Sequence, residues 1–95
     1  MALQDARAKL MDAQDEYIGD LIEAHGDNAA TRKEAFDRIE ELTKACQSVV
    51  KACRENGADL SDDRAAVMVG LMMDDTPDEK HMIGWMCEVA AMESE

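Results

Sequence analysis

The sequence predicts an all-α fold: a long antiparallel helical hairpin with two shorter C-terminal helices packed on it, four-helix and bundle-like, in one domain over residues 1–95. Three observations carry this. Apolar residues recur at spacings of three and four rather than two, which is the period of a helix face. Helix starts and stops punctuate the chain at Gly26, Thr31, Gly57, Ser61 and Thr76. One Phe, one Trp and one Tyr leave Leu, Ile, Val, Met and Ala to fill the core, and a chain of 95 residues supports a single core.

The first helix is expected from about Ala2 to His25. Leu3, Ala6, Leu10, Ala13 and Tyr17 form its stripe, broadened by Ile18, Leu21 and Ile22. Gly26 is a natural C-terminal stop. Thr31-Arg-Lys-Glu34 reads as a capping box in which the Thr hydroxyl and the Glu carboxylate satisfy free backbone N–H groups. The second helix then runs to about Asn56, with Phe36, Ile39, Thr43, Cys46, Val50 and Cys53 continuing the three–four spacing beside Leu42 and Val49. Two helices of roughly 23–25 residues span ~35 Å each at 1.5 Å per residue, and the few residues between them make an antiparallel hairpin.

Ser61 is the expected N-cap of the third helix, with Asp62 and Asp63 in its first turn, where the helix dipole favours acids. Nearly every position from Ala65 to Met73 is apolar, so the helix is expected to be covered on most sides. Asp74 and Asp75 end it, although negative charge is disfavoured at a helix C-terminus. Thr76-Pro-Asp-Glu79 is the clearest local signal: N-cap, proline at the first helical position, and a closing Glu. Met82, Ile83, Trp85, Met86, Val89 and Ala90 form the apolar face of the fourth helix. Five of the eight methionines lie between residues 67 and 86, and most are expected in the core.

Twenty-two acids against ten Lys plus Arg leave a net charge of −12. Nucleic acid and anionic membranes repel such a chain, and a basic protein surface attracts it. The longest apolar run, Ala65 to Met73, is far below the ~20 residues a bilayer span requires. An odd number of cysteines, three, with no apolar leader sets the expectation of a reducing compartment, the cytoplasm.

Catalytic and metal chemistry find little support. Cys46, Cys53, Cys87, His25 and His81 are the available soft ligands. Cys46 and Cys53, seven apart on one helix, stand ~10 Å apart, too far for one zinc with ~2.3 Å bonds or for a disulfide. Both fall on the apolar stripe, where a free thiol acts as a small hydrophobe. No Glu-x-x-His pair, calcium-binding loop, phosphate loop or nucleophile elbow occurs. No cofactor or metal is expected, and no enzyme.

Charge layout is the remaining clue. Residues 1–31 carry −5, residues 32–56 carry +1, and residues 57–95 carry −8. On the first helix Asp5, Asp12, Glu16, Asp20 and Glu23 lie beside the apolar stripe, with neighbouring carboxylates ~5–6 Å apart, close to the ~6–7 Å phosphate spacing of a nucleic-acid strand. Asp74, Asp75, Asp78 and Glu79 form a second cluster. In size, acidity and helicity the chain resembles small acidic inhibitors made by phages and mobile elements, such as anti-CRISPR and anti-restriction proteins, which cover basic nucleic-acid-binding surfaces.

The expected function is therefore non-catalytic: inhibition of a basic, nucleic-acid-handling protein by occupying its positively charged surface as a nucleic-acid mimic, with no direct nucleic-acid or membrane binding. The alternative is a structural or adaptor protein that forms a homodimer through its third and fourth helices, using Val67, Met68, Leu71, Met72, Met82, Trp85 and Met86.

Overall fold

A computed structural model describes residues 2–57 and 62–93. Among the described residues there are four helices: α1 (Leu3–His25), α2 (Ala29–Glu55), α3 (Asp62–Met73) and α4 (Pro77–Glu93). The molecule measures 44 × 27 × 18 Å, its long dimension set by the 27 residues of α2.

Helix boundaries follow local chemistry. α1 ends at Gly26, whose φ of +93° suits a residue without a side chain and whose N–H bonds the Ile22 carbonyl at 2.7 Å. α2 begins earlier than the sequence predicts. Asn28 is its N-cap, with Oδ1 accepting the Thr31 N–H at 2.9 Å. Asn caps at least as well as Thr, and the earlier start adds most of a turn. Thr31 is consequently inside the helix and buried rather than capping it. The predicted Ser61 cap lies outside the described residues. α3 closes with a C-terminal motif in which Asp74 takes the left-handed conformation (φ +51°) and the Asp75 N–H reaches back to the Gly70 carbonyl at 3.4 Å.

Four cross-helix contacts fix the directions. Arg7 near the start of α1 bonds Glu93 at the end of α4 (2.9 Å). Arg54 near the end of α2 bonds the Ala91 carbonyl of α4 (2.7 Å). Tyr17 of α1 and Arg38 of α2 both reach Glu79 at the start of α4. α4 therefore runs antiparallel to α1 and parallel to α2, and α1 and α2 form the expected antiparallel hairpin.

α4 packs against all three other helices, most heavily on α1, whereas α1 and α2 share the thinnest helix–helix contact and α1 does not touch α3. The cause lies in the sequence of α4: Met82, Ile83, Met86, Cys87, Val89 and Ala90 are all buried and occupy an arc of ~160° around it at 100° per residue. Such a helix is stable only with neighbours on several sides. It wedges between the hairpin arms, and the core forms where its residues meet Ala13, Tyr17, Leu42, Cys46 and Val69.

Two packing expectations are corrected. Phe36 is 56 % exposed, because Ala35 takes the inward position and Phe36 follows it by ~100° around the helix. α3 is covered on one side only, through Ala65 and Val69 with Ala66 and Met73 partly buried, since only α2 and α4 reach it. The methionines divide accordingly: Met82 and Met86 are core, Met73 packs on the core, and Met68 and Met72 face outward.

Candidate protein-binding surfaces

The α3–α4 turn organises the polar end of the molecule. Thr76 and Glu79 close the predicted capping box: the Thr76 N–H donates to Glu79 Oε1 (2.9 Å), and the Glu79 N–H donates to Thr76 Oγ1 (3.3 Å). The Glu79 carboxylate is 3 % exposed. Arg38 grips it with Nε on Oε2 (2.6 Å) and Nη2 on Oε1 (3.2 Å), and the Tyr17 hydroxyl donates to Oε2 (3.3 Å). Burial pushes the Glu79 carboxyl up. The Arg38 guanidinium, the Thr76 N–H and the Tyr17 hydroxyl more than offset it, and the net shift is below the ordinary carboxylate range. The Tyr17 phenol is pushed up to about 12 by burial and by the adjacent Glu79 charge. Glu79 thus leaves the surface-binding set expected from sequence, because its charge is spent inside the fold joining α1, α2 and α4.

The carboxylates around it remain outside. A groove opens between the C-terminal half of α1, the N-terminal half of α2 and the α3–α4 turn. Asp20, Asp74 and Asp78 line it, as the sequence predicts for a binding surface. Glu34, Asp37 and Glu41 of α2 line it too. With Glu79 that makes seven carboxylates against Lys33 and Arg38, a net −5. Arg38 is already engaged, with Glu79 and with the Met73 carbonyl at 2.7 Å.

Sequence reasoning missed Glu34, Asp37 and Glu41. Their spacing of three and four puts them along one side of α2. The signal was masked by the six bases of the same segment, of which only Lys33 and Arg38 reach the groove and which bring its sum to +1. Two of those bases, Arg32 and Lys44, pair with Asp27 (2.8 Å) and Glu40 (3.1 Å), not with the groove acids.

Asp5, Asp12, Glu16 and Glu23 are exposed on α1. At 100° per residue they fall within an arc of ~40°, about a quarter turn from the buried Ala6–Ala13–Tyr17 stripe. None of them forms an ion pair among the described residues. Of the two α1 bases, Lys9 shares their flank, and Arg7 is on the far side with Glu93. Asp20 connects this row to the groove. Asp75 is set apart: its carboxylate lies over Gly70, where an added Cβ would meet Oδ1 at 2.7 Å.

No family model, curated protein or solved structure matches this chain. Its chemistry is therefore read from its own surfaces alone.

The second surface is apolar. Val67, Met68, Leu71 and Met72 of α3 are 62, 44, 80 and 63 % exposed. Val67 and Leu71 line a second groove, between α3 and α4, floored by Ala66, Gly70 and Gly84 and walled by Trp85, and Met68 and Met72 lie outside that lining. Trp85 is half-buried and also packs on the core. Met82 and Met86 leave the self-association set proposed from sequence, because both are core residues. The two grooves share only Asp74.

The cysteines and histidines do not converge on a metal-holding cluster among the described residues. Cys46 of α2 and Cys87 of α4 meet in the core, where the neighbouring thiol and burial push the Cys46 thiol up. Cys53 is partly exposed.

Proposed function

We propose that the chain is a non-catalytic binding protein that inhibits a basic, nucleic-acid-handling protein by occupying its positively charged surface, in the manner of a nucleic-acid mimic. The observation that carries this reading is the −5 groove, in which exposed carboxylates from three helices converge with one free lysine against them. The α1 row of Asp5, Asp12, Glu16 and Glu23 extends the same potential for ~27 Å along the helix at 1.5 Å per residue. Helix-mounted carboxylates are held in fixed register, which suits repeated contact with a rigid basic groove. Such complementarity acts first on the association rate and falls with salt. No described helix is long and apolar enough to cross a membrane, and three free thiols fit the reducing cytoplasm proposed for it.

The test is capture from a lysate of the producing organism by the immobilised protein at low salt and at ~0.5 M salt, with duplex DNA as competitor. The expected result is a basic nucleic-acid-binding protein that salt releases and DNA competes away. The triple variant Asp20→Lys, Asp37→Lys, Asp74→Lys should lose it while keeping wild-type helicity. Undiminished capture by that folded variant would overturn the reading.

A further inference from the structure

We propose that the α3–α4 groove is the docking site for a second copy of this chain, in an antiparallel pairing about a two-fold axis beside Gly84. This surface shares only Asp74 with the acidic groove and does not depend on what that groove binds.

Gly84 is the first observation. It lies in the middle of α4, at least about two turns from either end and away from the caps, where glycine is among the poorest helix formers. Nothing in the chain itself requires it: a Cβ built there meets no atom within 4 Å. Gly70 differs, since Asp75 fills the space above it. A glycine on an open groove floor lets another backbone approach closely.

The apolar ridge is the second. Val67 with Leu71, and Met68 with Met72, are four apart on α3 and line the open side of the fold. At these exposures they present on the order of 400 Å² of apolar surface, the size of the largest patches on monomeric proteins. That is about half of the ~800 Å² per partner in a standard interface. The groove beside the ridge adds to this, so the expected dimer is reversible rather than permanent.

Charge selects a second copy as the occupant. Lys80 and Glu88 line the groove together with Asp74 and Asp75 at its α3 end, and Lys80 and Glu88 are each four residues from Gly84. Reversing α4 about Gly84 therefore places Lys80 of each copy against Glu88 of the other. That pattern is self-complementary, as a two-fold interface requires. The net charge of −12 on each copy opposes association at long range, and salt screens that repulsion. Dimerisation should accordingly survive high salt, whereas capture through the acidic groove should not.

The experiment is sedimentation equilibrium of the full chain from about 5 μM to about 500 μM, a range that brackets a weak interface of this size. The mass should rise from one chain towards two, in low salt and at ~0.5 M salt. Gly84→Leu should remain monomeric throughout while melting no lower than the wild type at the dilute end, because its side chain has room in the monomer and none in the dimer. Lys80→Glu and Glu88→Lys should each weaken association about tenfold. An equimolar mixture of the two, or the double variant, should restore it. A wild type that stays monomeric at the highest concentration, a Gly84→Leu chain that dimerises normally, or a double swap that fails to recover would each overturn the proposal. The charge swaps keep it falsifiable if Gly84→Leu does not fold.

Discussion

Arg38 holds Glu79 with both ends of its guanidinium, Nε to Oε2 at 2.6 Å and Nη2 to Oε1 at 3.2 Å. The same Nη2 reaches the Met73 carbonyl at 2.7 Å. One side chain of α2 thus ties the last turn of α3 to the first turn of α4 and neutralises the carboxylate that caps α4. Tyr17 adds α1 to the same knot. All four helices meet at this pair.

Removing either partner should therefore cost more than an ordinary surface ion pair. Glu79→Ala is expected to destabilise by about 2–4 kcal/mol, below the full penalty for breaking a buried pair because Arg38 is a quarter exposed and can turn to water. Urea denaturation followed by circular dichroism measures this. A loss under ~0.5 kcal/mol, the size of a neutral surface change, would show that the pair is ornamental.

The same groups set a pH window. Glu79 has its folded pKa below its ordinary value of 4.5, so its contribution is present above about that pH and is lost as pH falls through the lower folded pKa. Tyr17 is raised from 10.0 to about 12, so the contribution of its neutral phenol is present below pH 10 and is lost as pH rises towards 12. Thermal melting across pH 3 to 12 should show both losses. Tyr17→Phe should flatten the alkaline limb and only slightly reduce the acid limb, since Arg38 and the Thr76 N–H still hold Glu79. An unchanged alkaline limb in that variant would assign it to other groups.

Asp74 pays twice for its position. It adopts φ +51°, which costs an L-residue energy that glycine avoids, and it places negative charge at the C-terminus of α3. Asp74→Gly should stabilise the fold by about 0.5–1 kcal/mol. If the acidic groove binds a basic partner, the same variant should bind it less tightly. A rise in melting temperature with weaker binding is the signature of a residue kept for function rather than stability.

The thiols should differ in reactivity. Cys46 and Cys87 are fully buried together, and Cys53 is only partly so. A thiol reagent added to the native protein should label Cys53 first, and the other two only on the timescale of unfolding. Labelling of all three at one rate would contradict a core that encloses Cys46 and Cys87.

The sequence by itself determined the local features. The helical period, the Gly26 and Gly57 stops and the Thr76–Glu79 capping box depend on residues a few positions apart, so they were legible before any packing was known. The choice between neighbouring caps was close, and Asn28 displaced Thr31 by one favourable hydrogen bond. What only the tertiary structure decided was which face of each helix met which neighbour. The apolar content of α3 and α4 is similar, yet α4 is enclosed and α3 is not, because one helix alone can fill the space between the arms of the hairpin. That competition exposed Leu71 and Met72 and buried Met82 and Met86. It also turned Glu79 from a surface acid into an internal partner of Arg38, and brought Glu34, Asp37 and Glu41 to the acids of the α3–α4 turn. Proximity across ~40 positions is a property of packing, and no local period encodes it.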